Sequence, residues 1–329
     1  MNEEIGIDLG TATVIIYIKN KGIVLREPSI VAIDKKTNEI IAYGNKAKKM
    51  EGRTPDDIET IRPLQDGVIS NFTVTSKMLK YFIRRVSTNR FSSPKIMVCV
   101  PSQISEVERR AVIDSCVEAG AKRVYLIEEP VAAAIGAGIE IQKPVGNLIV
   151  DIGGGTTDVA VISIGGSVVS SSINIAGNKF DDVIIKYMKQ KHNLSIGKNT
   201  AENLKIEIGN VFPYEKEKKA KVKGKNLKTG LPETIEIGSN ELTKVLSDEV
   251  LKISDEIKTT LEKAPPELVE DIAKKGIYMT GGGSLLYGID KFISKNIGLK
   301  VSVAEDSASC VAIGTEKALE NMSKMNNKY

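Results

Sequence analysis

Residues 150–158 have the sequence Val-Asp-Ile-Gly-Gly-Gly-Thr-Thr-Asp, and the predicted fold is organised around this stretch. An apolar run at 148–150 leads into it and another at 159–162 follows it, which predicts a strand, a tight turn and a second strand. Three consecutive glycines let a backbone approach a ligand closely, and turn N–H groups beside two hydroxyls suit an anionic oxygen such as a phosphate. The alternative interpretation is a glycine-rich hairpin without a ligand, because glycine is common in turns.

A second stretch, residues 5–18, has the same plan near the start of the chain. An apolar strand ends at Asp8, Gly10 and Thr11 form the turn, and another apolar strand follows. One such hairpin carries little information, whereas two in one chain predict a duplicated domain with a phosphate held between facing turns. Asp151 and Asp158 would repel that phosphate, so we expect one of these carboxylates to act through a cation.

Length and composition predict a soluble globular protein of about two domains. The chain has 329 residues, of which 41% are hydrophobic and 27% are charged. Its net charge of +4 is too small to predict binding to nucleic acid. One histidine and three scattered cysteines without a CxxC pair argue against a zinc site and favour a reducing cytoplasm. We expect no signal peptide and no membrane span, because the chain enters a strand at once and lacks an apolar run of about 20 residues.

The helices predicted for the first half have recognisable start signals. An amphipathic helix is predicted at 75–86, and Ser105 with Glu108 forms a capping box before the next helix. Another helix follows Glu129, with Pro130 at its first position. A carboxylate there is favoured by the helix dipole, and the alternative interpretation of this carboxylate is a plain helix cap.

The second half is predicted to alternate strands and helices around an inserted lobe. We expect a strand pair at 167–175 and helices at 180–191, 202–209, 240–263 and 285–295. The lysine-rich segment 216–228 alternates with small or apolar residues, which predicts a solvated hairpin, with contact to an anionic surface as the alternative. The glycine run 281–283 precedes the helix at 285, and a helix N-terminus favours a polar or anionic ligand group.

Three motifs, taken in order, resemble those of the actin-like ATPase superfamily. Asp8-Leu-Gly-Thr11 and residues 151–158 resemble its two phosphate motifs, and Thr280-Gly-Gly-Gly-Ser284 resembles its adenosine motif. Within the superfamily the chain is most similar to MreB, the family of bacterial actins that organise cell shape. Further MreB-like stretches lie at 22–29, 52–55, 62–69, 127–136 and 260–268. The resemblance covers essentially the whole chain, which makes it more specific than any single glycine motif.

The resemblance implies an α/β fold that is actin-like (ribonuclease H-like), with duplicated domains and four subdomains around a central nucleotide cleft. Each half would contain a five-stranded mixed sheet with helices, and ATP or ADP would bind with Mg²⁺ in the cleft. The implied boundaries place 1–32, 66–145 and 308–329 in subdomain IA, 33–65 in IB, 146–180 and 240–307 in IIA, and 181–239 in IIB.

The resemblance also assigns roles to individual residues. Glu129 would orient the attacking water, with Thr156 as its neighbour and Asp151 as the third catalytic residue. Asp8 and Asp151 would position Mg²⁺ through its waters, because this ion gives up water reluctantly. The implied nucleotide-binding residues are Asp8, Gly10, Thr11, Ala12, Thr13, Gly153, Gly154, Gly155, Thr156, Glu202, Asn203, Leu204, Lys205, Gly281, Gly282, Gly283 and Ser284.

The chain departs from the usual MreB pattern at three places, one of which is a short and polar tail beyond the common core. An acidic pair after the Ala-Gly of the second half is replaced by Asn178 and Lys179, which reverses the local charge. Family members usually reach the membrane through an N-terminal amphipathic helix or a loop with two large apolar residues, and this chain shows only Phe91, beside Arg90. One buried aromatic contributes about 1.5–3 kcal/mol. Membrane binding would therefore depend on many copies in a filament and on basic residues near anionic lipid.

The function implied by the resemblance is a slow, polymerising ATPase that determines cell shape. It would be cytoplasmic and peripheral at the inner face of the cell membrane. Its partners would be further copies in paired protofilaments, the anionic membrane surface and membrane-bound shape or cell-wall proteins, without nucleic acid. The alternatives are a plasmid-segregation filament, a superfamily kinase and a chaperone ATPase. A kinase would need another acid or base besides Glu129, and a chaperone would need a peptide-binding domain after the last helix.

Overall fold

The computed structural model describes residues 4–87 and 93–326. Arg90 and Phe91, the predicted weak membrane contact, lie outside the described residues. No helix in these two ranges is both long and apolar enough to cross a membrane.

The described residues form eighteen strands and ten α-helices. The strands are β1 Glu4–Leu9, β2 Thr13–Ile18, β3 Gly22–Pro28, β4 Val31–Asp34, β5 Glu39–Tyr43, β6 Ile58–Ile61, β7 Leu64–Gln65, β8 Val68–Ile69, β9 Lys95–Val100, β10 Arg123–Glu128, β11 Asn147–Ile152, β12 Thr157–Ser163, β13 Gly166–Ile173, β14 Leu194–Ser195, β15 Lys219–Asn226, β16 Pro232–Gly238, β17 Ile277–Thr280 and β18 Val301–Val303. The α-helices are α1 Asn45–Met50, α2 Phe72–Val86, α3 Glu106–Glu118, α4 Glu129–Gly136, α5 Gly177–His192, α6 Lys198–Ile208, α7 Ser239–Glu262, α8 Pro266–Lys275, α9 Ile289–Ile297 and α10 Cys310–Asn326. Short 3₁₀ helices occur at Gly282–Leu285 and Ser307–Ser309.

Two five-stranded sheets have the same topology. The first has the order β3-β2-β1-β9-β10 and the second has the order β13-β12-β11-β17-β18. In each sheet the central hairpin, β1–β2 or β11–β12, is extended by an antiparallel strand on one side and by two parallel strands on the other. This repeat confirms the predicted duplication and the predicted mixed sheet in each half.

The two sheets are joined through α4 and α10. Strands β11 and β12 are buried along their whole length, as expected for apolar strands covered on both faces. One apolar cluster contains Ala133 of α4, Ile149 of β11 and Val311 of α10. A Cβ at Gly314 of α10 would overlap the backbone of Ala132, so the small residue lets the two helices touch. This contact brings the ends of the two central hairpins to one place.

Two three-stranded sheets lie in the regions predicted as inserted lobes. The sheet β5-β4-β6 with α1 lies near 33–65, and the sheet β14-β15-β16 lies within 181–239. The β15–β16 hairpin confirms the prediction for the lysine-rich segment, since Ala220 is buried between exposed lysines. The predicted boundaries after residues 32 and 180 fall inside β4 and α5, so the subdomain limits stay predictions.

Several local predictions differ from the structure. Residues 167–175 hold one strand, β13, rather than a strand pair, because β13 pairs along its length with β12. The helix predicted at 285–295 begins only at Ile289, since the glycine run forms a 3₁₀ turn and Gly288, with φ +77°, separates that turn from α9. The glycine run is therefore not the N-terminus of an α-helix. Helix α1 was not predicted, and α2 begins earlier than predicted because the Asn71 side chain caps it.

Candidate nucleotide-binding site

A cleft lies between the two halves and encloses a cavity of about 440 Å³. Cavities of about 300–1,000 Å³ are typical of small-molecule sites. The sequence-predicted residues that line it are Asp8, Gly10, Thr11, Ala12, Thr13, Glu129, Asp151, Gly153, Gly154, Gly155, Thr156, Glu202, Lys205, Gly281, Gly282 and Gly283. The fold thus brings together both hairpin turns, the start of α4, one face of α6 and the Gly281 turn.

The two hairpin turns touch at their tips. A Cβ at Gly154 would overlap the Cβ of Ala12, and a Cβ at Gly155 would lie 2.6 Å from Thr11 Oγ1. Thr11 is itself held in place, because its Oγ1 accepts a hydrogen bond from the Gly67 N–H at 2.9 Å. The second turn therefore needs glycine for the close approach of the first turn. A Cβ at Gly154 or at Gly155 would therefore fill the narrow space, or cradle, between the two tips.

Four carboxyl groups gather near these turns. Burial raises the pKa of Asp8 to about 6 and the pKa of Asp151 to about 7. Burial also raises the pKa of Asp158 to about 6. Burial and the charges of these three aspartates raise the pKa of Glu129 well above its usual range. A cluster of four buried carboxyl groups favours a bound cation, because a cation stabilises the charged forms of the carboxyls.

Asp8 and Asp151 are the candidate Mg²⁺ residues, and each is held by a residue on the neighbouring parallel strand. Thr280 Oγ1 donates to Asp151 Oδ1 at 2.6 Å, and Cys99 Sγ donates to Asp8 Oδ1 at 3.5 Å. Within 4–87 and 93–326, no group of three or more His, Cys, Asp or Glu side chains is arranged to hold a metal ion. Mg²⁺ keeps several waters and accepts phosphate oxygens as ligands. Two carboxylates facing a phosphate cradle therefore fit its chemistry.

Glu129 and Thr156 both line the cleft, and Asp158 lies beside them. Glu129 is the first residue of α4, immediately after the N-cap Glu128. The Thr156 side chain lies near Asp158, whose carboxylate accepts a hydrogen bond from the Ser102 N–H at 3.3 Å. Asp158 also helps to raise the pKa of Glu129. The position of Thr156 between Glu129 and a γ-phosphate stays a prediction.

Helix α6 presents one face to the cleft rather than a continuous stretch. Glu202 and Lys205 line the cavity, whereas Asn203 is exposed and Leu204 is buried in the core of the second half. Consecutive helical residues point in different directions, and residues three or four apart share a face. The structure therefore places the predicted contacts Asn203 and Leu204 away from the cavity.

The Gly281 turn forms another part of the cleft wall. Gly281 has φ +82°, and a Cβ there would overlap the backbone of Ile152 at the end of β11. Ser284, a predicted nucleotide contact, is buried, and its hydroxyl donates to Gly281 O at 2.7 Å. Its hydroxyl stabilises the turn, while the three glycines line the cavity.

Sequence reasoning missed several side chains of the cleft. They are Arg26, Asp181, Tyr214, Tyr287 and Ser307. The rings of Tyr214 and Tyr287 stack with centroids 3.9 Å apart. Ser307 Oγ is buried and finds no hydrogen-bond partner in the described part of the chain, which suits a wall that receives a polar ligand. Arg26 lies in the MreB-like stretch 22–29, whereas the tyrosines carry no comparable signal.

A family model described as MreB/Mbl protein matches residues 2–327. The chain belongs to the MreB/Mbl family. Among its relatives, the cell shape-determining protein Mbl of Bacillus subtilis (strain 168) is 49% identical over 98% of this chain and 97% of the relative. The cell shape-determining protein MreB of Escherichia coli (strain K12) is 47% identical over 97% of this chain and 94% of the relative.

A solved structure of another MreB has the same fold. MreB5 of Spiroplasma citri bound to AMPPNP matches with a TM-score of 0.95 and 42% identity, over 100% of this chain and 98% of that chain. The same protein bound to ADP matches with a TM-score of 0.95 and 41% identity, over 100% of this chain and 99% of that chain. Together with the repeated sheet topology, this likeness confirms the actin-like fold of duplicated domains.

In this MreB/Mbl chain, the unusual residues Asn178 and Lys179 lie at the start of α5. Asn178 lines the cleft and donates its N–H to Gly154 O at 2.8 Å, while Gly177 donates its N–H to Gly153 O at 3.1 Å. These backbone bonds attach α5 to the second hairpin turn without using either side chain. Lys179 is exposed, so the reversed charge of this position faces solvent.

Proposed function

We propose that this chain is an ATP-binding and ATP-hydrolysing bacterial actin that polymerises into protofilaments and determines cell shape. The observation that carries the proposal is the cleft, where two touching hairpin turns face carboxyl groups with raised pKa values. Further support comes from the MreB5 relative, whose solved structures bind AMPPNP and ADP. The curated relatives are named as cell shape-determining proteins.

The hairpin turns are the proposed phosphate site. The N–H of Gly153 already donates to Thr156 O at 2.9 Å, so the backbone N–H groups of 154–155 and of the turn 11–13 would hold the phosphates. Mg²⁺ bound here would neutralise phosphate charge. Asp8 and Asp151 would hold it through its waters, and a nearby cation lowers the raised pKa values of both carboxyls. The adenosine would lie against the Gly281 turn and the cleft face of α6.

Glu129 is the proposed water-orienting residue. Phosphoryl transfer depends on positioning and electrostatics more than on covalent chemistry, so one well-placed carboxylate is sufficient. The raised pKa of Glu129 makes its carboxylate a stronger base. Thr156 would lie next to it, beside Asp158.

The role of Glu129 is tested by Glu129→Ala. This variant should retain ATP binding but lose most phosphate release, by about a hundredfold or more. Glu128→Ala is the matched control, because the Glu128 carboxylate accepts a hydrogen bond from Ser167 Oγ at 2.6 Å outside the cavity. The measurements are phosphate release at saturating ATP and titration with a fluorescent ATP analogue. Unchanged release in Glu129→Ala would remove the proposed role, and a wild-type protein that binds no ATP would contradict the whole proposal.

Polymerisation and membrane association are tested by pelleting the wild-type protein with ATP and Mg²⁺. We expect sedimentable filaments at micromolar protein, and co-sedimentation with anionic liposomes. Failure to assemble at any tested salt and Mg²⁺ concentration would contradict the filament and favour a superfamily kinase. Assembly without liposome binding would contradict only the position at the cytoplasmic membrane face, for which Arg90 and Phe91 are the proposed contact.

A further inference from the structure

An ion pair joins the two halves of the molecule at the edge of the cleft. Lys48 Nζ lies 2.6 Å from Glu202 Oε2, although the two residues are 154 positions apart. Lys48 is on α1 in the lobe of the first half, and Glu202 is on α6 in the lobe of the second half. Their side chains are 30% and 35% exposed, so the pair is partly shielded from solvent.

Helix α1 is held firmly on its own side, which positions Lys48. Glu27 is buried, accepts the Asn45 N–H at 2.8 Å at the start of α1, and pairs with Arg85 Nη1 at 2.6 Å. A carboxylate at a helix start satisfies an otherwise free N–H group and interacts favourably with the helix dipole. Lys48 therefore extends towards the second half from a fixed helix.

Helix α6 is also held, and its arrangement leaves Glu202 available to Lys48. Lys205 lies one turn along α6 from Glu202, but it pairs with Asp181 Oδ1 at 2.9 Å and donates to Gly177 O at 2.9 Å. Lys205 is thereby directed to the start of α5 instead of to Glu202. Since Glu202 lines the cavity and Lys48 does not, Lys48 reaches the site only through Glu202.

We propose that Lys48 is a positioning residue that fixes Glu202 and latches the two lobes over the bound nucleotide. This inference rests on the proposed function, because the latch matters only if the cleft holds a nucleotide. In this proposal, the nucleotide leaves between the two lobes and separates the helices that the pair joins, so the pair slows release. Partly exposed ion pairs are weak, and the expected effect is a two- to fivefold change in release rate rather than loss of binding.

The test measures release of a fluorescent ATP analogue after addition of excess unlabelled ATP. The variants are Lys48→Ala, Glu202→Ala, the double variant and Lys49→Ala, whose side chain is exposed on the same helix. Lys48→Ala should accelerate release about two- to fivefold, and Lys49→Ala should match the wild type. In the Glu202→Ala background, Lys48→Ala should add nothing, because its partner is already absent. The difference between Lys48→Ala and wild type should shrink at about 0.5 M salt.

Three outcomes would overturn the latch. They are an unchanged release rate in Lys48→Ala, an equal acceleration with or without Glu202, and an equal acceleration in Lys49→Ala. A structural effect of Lys48 on its own lobe would accelerate release in both backgrounds, so the double variant separates the two explanations. A wild-type protein that binds no nucleotide would overturn the proposed function and the latch together, whereas normal binding with unchanged release would overturn the latch alone.

Discussion

The two central hairpins occupy equivalent places in their sheets, yet their tips differ. The first hairpin has Thr11 and Ala12 at the two positions where the second has Gly154 and Gly155. These tips touch each other, so side chains on both would collide. A duplicated fold has therefore produced an asymmetric site, in which one turn supplies side chains and the other supplies space.

The second strand of each hairpin shows another difference. Ile15 lies opposite Asp8 in the first hairpin, whereas Asp158 lies opposite Asp151 in the second. The additional carboxyl helps to raise the pKa of Glu129. The proposed chemistry thus concentrates on the second hairpin, while the first mainly shapes the cradle.

The two aspartates that end the first strands also have different supports. Asp8 receives a hydrogen bond from the thiol of Cys99 on β9, and Asp151 receives one from the hydroxyl of Thr280 on β17. Strands β9 and β17 are equivalent in the two sheets. A thiol is a weak hydrogen-bond donor and a hydroxyl is a stronger one. The carboxyl group of Asp151 therefore receives a stronger hydrogen bond than the equivalent carboxyl group of Asp8.

Gly154→Ala should cause the largest effect, because it places side chains on both tips. The new Cβ would overlap the Cβ of Ala12, and the turn would have to move away from the cleft. Overpacking of this kind costs about 3 kcal/mol. We therefore expect Gly154→Ala to lose ATP affinity by about a hundredfold. Titration with a fluorescent ATP analogue measures this loss.

Adding Ala12→Gly to that variant exchanges the roles of the two tips. The remaining neighbours of the new Cβ are then backbone atoms of residue 12 at 3.2 Å or more, which is tight but tolerable. About half of the lost binding free energy should return. No recovery would show that Gly154 is needed for a reason other than space, and the comparison of the tips would lose its physical basis.

The hairpins could be predicted from sequence because each is a local pattern of apolar strand, turn and apolar strand. Their meeting could be inferred from the repetition of this pattern in one chain, and the resemblance to a known superfamily agreed with it. The direction of side chains on α6 could not be inferred, since it depends on the rotation that buries Leu204 in the core. The resemblance implied nucleotide contacts for all four residues 202–205, and only Glu202 and Lys205 of these line the cavity.

Local sequence patterns also could not predict the contacts between distant segments of the chain. The stack of Tyr214 on Tyr287 and the pairing of Lys48 with Glu202 each join segments that are far apart in the chain. Such contacts depend on how the lobes are placed, which hydrophobic periodicity does not describe. The start of α9 was misplaced for a related reason, because the left-handed Gly288 separates the glycine turn from the helix.

The pH dependence of stability should sharpen the comparison between Asp8 and Asp151. Both pKa values are raised, to about 6 and about 7, so between about pH 4 and pH 7 the folded protein binds more protons than the unfolded chain. The free energy of unfolding should therefore fall as the pH rises. Between about pH 5.5 and pH 8, Asp151 should account for about 2 kcal/mol of this loss and Asp8 for about 1 kcal/mol.

Urea unfolding of the nucleotide-free protein at the two pH values measures this difference. Asp151→Asn should flatten the pH dependence more than Asp8→Asn, and both variants should be less pH-dependent than the wild type. A wild-type protein that is more stable at the higher pH would contradict the raised pKa values. A larger effect of Asp8→Asn would reverse the proposed order of the two carboxyls.

Removal of each supporting donor should give the smallest effects. Thr280→Val keeps the buried shape but leaves Asp151 without its hydroxyl donor at 2.6 Å. A lost hydrogen bond to a buried carboxyl costs about 1 kcal/mol, which is about a fivefold loss of affinity for ATP with Mg²⁺. Cys99→Ala removes only a weak thiol donor at 3.5 Å and should change that affinity by less than about twofold.

Measuring the affinity for ATP with Mg²⁺ in both Thr280→Val and Cys99→Ala distinguishes a hydrogen-bonding role of these two side chains from a packing role. Cys99 and Thr280 are both buried, and only Cys99→Ala removes side-chain volume, so a purely steric effect would be larger in Cys99→Ala than in Thr280→Val. A clear loss in Thr280→Val alone would show that the hydroxyl orients Asp151 for the cation. A loss in Cys99→Ala as large as the loss in Thr280→Val would mean that the stronger donor gives Asp151 no advantage, and the second hairpin would then owe its stronger role to Asp158 rather than to better support of Asp151.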